Sequence, residues 1–194
     1  MLDMQESVAE RRSGYYNELA ERARYDKEAF SELYDYFFPR VYNFIFAKVK
    51  NTEQADDIIS ITFEKVFVKL GDYDSGKGAF STWIFRIALN EMNSLFRKNK
   101  QLNEAAWEEF FEPADGRKTP EQQVLSDEGD SQLLLALEKL SDRERRVVSL
   151  KYLTGISNKE IAELEDMTAN NVGVVLHRAL DKLKAILEGS GYTI

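Results

Sequence analysis

Apolar residues recur at intervals of three and four along most of the chain, a spacing that places them on one face of a helix. In the first half, this pattern predicts helices over 26–49, 52–70 and 80–98. In the second half, it predicts helices over 131–139, 142–153, 158–165 and 169–188. No stretch alternates apolar and polar residues in the manner of a half-buried strand. The chain is therefore expected to be all-α.

Polar residues at the predicted helix starts support these boundaries. Ser141 stands three residues before Glu144, and Ser157 stands three before Glu160. Each pair can form a capping box, in which side chain and backbone satisfy one another's unpaired donors. Thr168 can cap the last helix in the same region.

The segment 101–130 interrupts the helical pattern with Pro113, Gly116, Pro120 and Gly129. Residues 101–132 carry nine acidic side chains against two basic ones. This composition predicts an acidic, flexible linker. The linker would join a helical domain at 1–100 to a second one at 131–194.

The overall charge and composition narrow the possible functions. The net charge of −8 arises mainly in the linker, so neither flanking half is too acidic to bind nucleic acid. Cysteine is absent and there is a single histidine, so we expect no metal site, no disulfide and no cofactor. No apolar run reaches the length of a membrane span, and the N-terminus lacks a signal peptide. We expect a cytoplasmic protein without membrane insertion.

The second half contains a short helix, a turn and a longer helix, the arrangement of a helix-turn-helix. Ala162 is small enough for the two helices to cross closely, and the longer helix has an apolar stripe that includes Val172, Leu176 and Leu180. In this motif the start of the second helix enters the major groove of DNA. A helical hairpin inside an ordinary bundle would show the same pattern. The candidate DNA-binding residues are Lys159, Asn170, Asn171, Val174, His177, Arg178 and Lys182.

The helix predicted over 80–98 has a polar face with an aromatic residue at its start. An indole followed by amides and cations suits stacking on unpaired bases and binding of the adjacent phosphates. A solvated face of an amphipathic helix is the alternative interpretation. The candidates are Trp83, Arg86, Asn90, Asn93, Arg97, Lys98 and Lys100, with Phe80 as a second ring for stacking.

The helix predicted over 52–70 has two distinct faces. One is an ordinary core face, made of Ala55, Ile58, Ile59, Thr62, Phe63, Val66, Phe67 and Leu70. The other mixes acidic and apolar residues, which favours contact with another protein over simple exposure to solvent. Its members are Asp57, Ile61, Glu64 and Val68.

Longer stretches resemble a known family. The segment LEKLSDRERRVVSLKYLTGISNKEIAELEDMTANNVGVVLHRALDKLKAIL is similar to region four of bacterial sigma factors. The segments DKEAFSELYDYFFPRVYNFIFAKVKNTEQADDIISITFEKVFVKL and FSTWIFRIALNEMNSLFRK are similar to region two. Together they cover about four-fifths of the chain, in the family's order. The chain is thereby identified as a member of the extracytoplasmic-function (ECF) subfamily.

The resemblance implies a division of labour between the halves. Region two would bind core RNA polymerase through the Asp56 and Asp57 face, and would melt and read the minus-ten promoter element, with a flipped base near the 71–80 loop. Region four would read the minus-thirty-five element, and the linker would follow the path of RNA exit. An anti-sigma factor is the expected further partner.

The chain departs from the family pattern in two places. Gly173, Val174 and Val175 stand where the family usually has lysine, a small polar residue and arginine, so binding of the minus-thirty-five element is expected to be weaker. Ser60 and Ile61 stand where a glutamine–glutamate pair is common, which predicts a less polar contact with polymerase.

Two other classes of function fit the sequence less well. A stand-alone helix-turn-helix regulator would bind duplex operators as a homodimer and would leave the first half without a role. An enzyme would need more than Asp56, Asp57 and Glu64, which helical spacing divides between faces without an accompanying nucleophile or phosphate-binding loop. We therefore expect no enzymatic activity.

Overall fold

The computed structural model describes the backbone of residues 2–102, 133 and 135–189. Its helices are α1 (Leu2–Arg22), α2 (Lys27–Val49), α3 (Thr52–Lys69), α4 (Phe80–Leu102), α5 (Asp142–Ser149), α6 (Asn158–Glu165) and α7 (Ala169–Gly189). A 3-10 turn follows α3 at Leu70–Asp72, and a π-helical turn follows α5 at Leu150–Thr154. No strand occurs among these residues. The all-α prediction is confirmed.

Local capping explains where several helices begin. The side chain of Asp26 accepts hydrogen bonds from the first backbone N–H groups of α2, and Asn51 accepts one from Gln54 N at the start of α3. Both predicted capping boxes form, at Ser141 and at Ser157. Thr168 Oγ1 accepts a hydrogen bond from the backbone N–H of Asn171 at 3.2 Å, as predicted for α7.

Helix α1 was not predicted from the sequence. Most of its buried side chains are small, with Leu19 the largest, so its apolar stripe is weak. Its other contacts are aromatic and polar: the ring of Tyr16 stacks on that of Tyr36 of α2, with centroids 3.9 Å apart. The predicted linker falls almost entirely outside the described residues, although α4 continues to Leu102.

Helices α1 to α4 enclose a core rich in aromatic rings. Phe37 of α2 and Phe80 and Phe85 of α4 are among the largest completely buried side chains. The ring of Phe37 meets that of Phe80 edge to face at 5.2 Å, and Phe44 meets Phe85 at 5.7 Å. Edge-to-face pairs at this distance add to the free energy of apolar burial.

Two residues that the sequence assigned to the core are exposed. Phe67 is 68% exposed and Leu180 is 37% exposed. Each directly follows a buried residue of its helix, Val66 in α3 and Ala179 in α7. One position along a helix corresponds to a rotation of about 100°, which moves the next side chain to the margin of the buried stripe. When Val66 faces the core, Phe67 must point to the rim, where its ring centroid lies 5.3 Å from that of Phe30 in an edge-to-face contact.

The second half forms the predicted helix-turn-helix. Ile161 and Ala162 of α6 are buried against α7, whose own buried stripe is Val172, Leu176, Ala179, Leu183 and Leu187. The guanidinium of Arg146 on α5 pairs with the largely buried carboxylate of Glu165 at 3.0 Å. This ion pair ties α5 to the end of α6.

The two halves contact one another through a buried carboxylate. Glu160 of α6 is only 5% exposed, and its Oε1 accepts hydrogen bonds from the hydroxyls of Ser13 on α1 and Ser81 on α4. An exposed ion pair also joins the halves, between Lys50 and Glu138 at 2.6 Å. Because charged acceptors must be satisfied when buried, Glu160 holds the halves together in this arrangement. None of the described helices has the length and hydrophobicity needed to cross a membrane.

Truncating Phe37 should destabilise the first half strongly. Because its ring is buried among Tyr16, Tyr36 and Phe80, Phe37→Ala is expected to lower the free energy of unfolding by about 3–5 kcal/mol. Phe67→Ala removes the same ring from an exposed position and should cost less than about 1 kcal/mol. Urea denaturation followed by circular dichroism measures both, and similar losses would contradict this assignment of the core.

Removing the hydroxyls that bind Glu160 should loosen the contact between the halves. In the double variant Ser13→Ala, Ser81→Ala, Oε1 of Glu160 loses both partners, at a cost of about 1–3 kcal/mol for an unsatisfied buried acceptor. Small-angle X-ray scattering should then give a larger radius of gyration. Ser60→Ala, on the exposed side of α3, is the control. A scattering curve identical to wild type would show that Glu160 does not hold the halves together.

Candidate nucleic-acid and polymerase interfaces

One edge of α4 exposes a row of amides and cations. Arg86, Asn90, Asn93 and Arg97 are all exposed, at alternating spacings of four and three that keep them on one side of the helix. The backbone of α4 includes Lys98 and Lys100, whose side chains lie outside the described part of the chain. The row supplies donors for phosphates and bases over more than three helical turns.

Trp83 lies half-buried at the N-terminal end of this row. Its ring centroid is 5.6 Å from that of Tyr73 and 5.5 Å from that of Phe80. The neighbouring rings hold the indole in place, while part of its surface meets solvent. An indole fixed in this way loses little conformational entropy when a base stacks on it.

Phe80 does not belong to the DNA-binding set. Its side chain is completely buried and packs edge to face against Phe37 and Tyr73. A ring enclosed by protein cannot stack on a base. The structure therefore corrects the prediction: Phe80 supports Trp83 from the core.

The loop between α3 and α4 lies beside Trp83, at the N-terminal end of the row on α4. The buried ring of Tyr73 anchors it, and the phenol donates a hydrogen bond to the carbonyl oxygen of Gly78 at 3.1 Å. Burial raises the pKa of Tyr73, so the phenol remains a donor at physiological pH. Asp74 accepts a hydrogen bond from Gly76 N, which, together with Lys77, lowers the pKa of Asp74. Asp74 thus stabilises the turn at the tip of the loop, and Tyr73 anchors the base of the loop.

The candidate residues of the helix-turn-helix are exposed on α6 and the first half of α7. They are Lys159, Asn170, Asn171, Val174, His177 and Arg178. His177 Nδ1 lies 2.8 Å from Asp181 Oδ2 on the next turn of the same helix. A hydrogen bond between them fixes the orientation of the imidazole.

Lys182 has a partner within the domain. Its Nζ lies 2.6 Å from Glu144 Oε1 on α5. This hydrogen bond, with those from Ser141, lowers the pKa of Glu144 to about 2. The ammonium is therefore engaged in joining α7 to α5, which makes it less available to DNA.

The two predicted DNA-binding surfaces are close together. The guanidinium of Arg86 donates a hydrogen bond to the backbone carbonyl oxygen of Glu163 on α6, at 3.4 Å. Helix α6 thus lies against the N-terminal part of the row on α4. No local pattern in the sequence predicts this contact, because its partners are 77 positions apart.

The mixed face of α3 is exposed as predicted. Ile61 and Val68 are 41% and 72% exposed, and the acidic side chains of the face are exposed around them: Asp56, Asp57 and Glu64. Phe67 adjoins Val68 and enlarges the apolar part of the surface. Sequence reasoning placed Phe67 in the core because it lies at the margin of the buried stripe. Acidic and apolar groups side by side suit a protein contact with a basic partner.

Family models match most of both halves. The model for sigma-70 region 2 matches residues 33–101, and that for sigma-70 region 4 matches residues 130–183. The ECF RNA polymerase sigma factor SigW of Bacillus subtilis is 30% identical, over 82% of this chain and 89% of its own. The ECF RNA polymerase sigma factor BldN of Streptomyces coelicolor is 28% identical over 88% of this chain, and the match spans 65% of the length of BldN. Such relatives are sigma factors, which are not enzymes.

Solved structures show the same fold. CnrH, in complex with the cytosolic domain of CnrY, matches with a TM-score of 0.62 at 24% identity, over 89% of this chain and 97% of that one. The sigma factor RpoE of Bartonella quintana, in complex with the anti-sigma factor NepR, gives 0.60 at 20% identity, over 82% and 96%. Both sigma regions are matched in order, and SigW is 30% identical to this chain. A stand-alone regulator is therefore not favoured. The chain belongs to the extracytoplasmic-function family of sigma factors, which direct RNA polymerase to promoters.

Proposed function

We propose that the exposed row on α4 binds the minus-ten element as single-stranded DNA. The observation that carries this proposal is the alignment of Arg86, Asn90, Asn93 and Arg97 behind a half-buried indole. Removing a base from the stack costs a few kcal/mol. Stacking on Trp83, worth about 1–3 kcal/mol, offsets much of that cost.

The mixed face of α3 is proposed to bind core RNA polymerase. Its exposed apolar side chains, Ile61, Phe67 and Val68, adjoin three exposed carboxylates on the same helix. On this surface the apolar groups would supply affinity and the carboxylates would orient a basic partner helix. The face is distinct from the row on α4, so one domain can bind polymerase and DNA together.

Helix α7 is proposed to read the minus-thirty-five element as duplex DNA. Asn170 and Asn171 occupy its first turn, where the helix-turn-helix geometry brings side chains to base edges. Arg178 supplies a cation for the backbone. With Gly173, Val174 and Val175 in place of two cations, this contact would be weak and would depend on polymerase for its stability.

Engagement of promoter DNA would require the halves to separate. Helix α6 contacts Arg86, at the N-terminal end of the row on α4, and the adjacent Ser81, so the arrangement seen here restricts access to that end of the row although Arg86 itself is exposed. The similar structures are of sigma factors bound to CnrY and to the anti-sigma factor NepR. We propose that this chain also has an anti-sigma partner, which would favour the arrangement in which the two halves are in contact. We also propose that this chain acts in the cytoplasm.

Trp83→Ala should reduce transcription directed by this chain. Loss of about 1–3 kcal/mol of stacking corresponds to a decrease of roughly 5- to 150-fold in promoter opening. The measurement is run-off transcription with core polymerase and a fixed concentration of the chain. Tyr25→Ala, which removes an aromatic side chain that is 92% exposed, is the control and should retain activity. Full activity of the Trp83 variant would exclude base stacking at this position.

Arg178 and Lys182 should differ in their effect on the salt dependence of DNA binding. Each phosphate contact contributes about 0.9 to the slope of log affinity against log salt. Arg178→Ala should therefore reduce the slope by about that amount, while Lys182→Ala should change it little because Lys182 pairs with Glu144. Fluorescence anisotropy of the polymerase complex on upstream duplex DNA measures both. Equal changes in slope would show that Lys182 leaves Glu144 to bind DNA.

A further inference from the structure

One stripe of α1 contacts the segment that leads into α4. Asn17 and Glu21 lie one turn apart on α1, and Arg24 lies in the turn that follows the end of the helix at Arg22. All three side chains make hydrogen bonds to residues of the segment 73–80. We call these three residues the α1 stripe.

Asn17 caps α4 from a different helix. Its Oδ1 accepts a hydrogen bond from the backbone N–H of Phe80 at 2.8 Å. Phe80 is the first residue of α4, and such N–H groups have no partner within the helix. The preceding residue, Ala79, has no side-chain oxygen that could serve as a local cap. The cap that the local sequence lacks is thus supplied by α1.

The same oxygen of Asn17 also holds the base of the loop. The phenol of Tyr73 shares its single hydroxyl hydrogen between this oxygen and the carbonyl oxygen of Gly78, each 3.1 Å away. Since the ring of Tyr73 packs against both Phe80 and Trp83, this contact links α1 to the indole through one buried ring. A change at Asn17 therefore reaches Trp83 through Tyr73 and through the start of α4.

Glu21 and Arg24 hold the rest of the segment. Glu21 Oε1 accepts a hydrogen bond from the backbone N–H of Ser75 at 3.2 Å. The guanidinium of Arg24 donates to the carbonyl oxygen of Tyr73 and pairs with Glu21 at 3.0 Å. The tip of the loop has in addition the hydrogen bond from Gly76 N to Asp74 and the exposed Asp74–Lys77 ion pair, which contributes little.

We infer that the α1 stripe positions the 73–79 loop and Trp83 for selection of a base in the minus-ten element. This inference rests on the proposed binding of that element by α4. Asn17, Glu21 and Arg24 are positioning residues, because they act through their hydrogen bonds to the loop and to the start of α4. The base selectivity of the protein then depends on a helix that precedes the matched region 2, which begins at residue 33.

The test measures selectivity rather than total activity. Core polymerase and the full chain transcribe a pool of promoters that carries every single-base change in the minus-ten element, and sequencing of the transcripts gives the preference at each position. Asn17→Ala should reduce the strongest single-base preference by about 5- to 10-fold, as the loss of two hydrogen bonds at the loop and helix start implies. Glu18→Ala, an exposed neighbour on α1, is the control and should keep the wild-type preference.

The conservative variant separates positioning from folding. Asn17→Asp keeps an oxygen that can accept both hydrogen bonds, and a negative charge is favourable at the N-terminus of α4. It should therefore restore the preference that Asn17→Ala loses. An Asn17→Ala variant that transcribes all promoters less but with an unchanged preference would overturn the inference, as would an Asn17→Asp variant as unselective as the alanine variant.

A different result is expected if the proposed binding of the minus-ten element by α4 is wrong. If wild-type protein shows no base preference in the minus-ten element, or if Trp83→Ala leaves that preference intact, binding of the element by α4 is wrong, and the inference falls with it. If wild type is selective and Trp83→Ala is not, the variants at Asn17 alone decide the role of the α1 stripe.

Discussion

The buried ring of Phe80 is the contact on which the first half of this protein depends. It packs against Phe37 of α2, Tyr73 of the loop and Trp83 of α4 at centroid distances between 5.2 and 5.5 Å. Aromatic rings at such distances fix one another's orientation as well as burying apolar surface. The indole that we propose to meet DNA is therefore held by the core, and no flexible segment is needed to present it.

Polar contacts complete this arrangement from outside the core. Asn17 caps α4 where its own sequence offers no cap, and Ser81, one residue further on, donates to the buried carboxylate of Glu160. The first turn of α4 thus receives both α1 and the helix-turn-helix domain. The contacts that hold α1 and the helix-turn-helix domain against this turn therefore lie beside the row proposed to bind the minus-ten element.

Features set by neighbouring residues were predictable from the sequence, and features set by distant ones were not. The starts of α2, α3 and α6 were predicted within a residue or two, since periodicity and capping residues are local signals. Helix α1 was missed because its buried side chains are mostly small. Phe67 and Phe80 were misassigned because their burial depends on how α3 and α4 pack against partners elsewhere in the chain.

Permanganate footprinting of promoter DNA reports directly on opening of the minus-ten element, because permanganate oxidises thymines that are unstacked. The proposed function predicts that thymines of this element become reactive only when the chain and core polymerase are present together. Reactivity with core polymerase alone would contradict it. So would protection of intact duplex by the chain alone, as a stand-alone regulator would give.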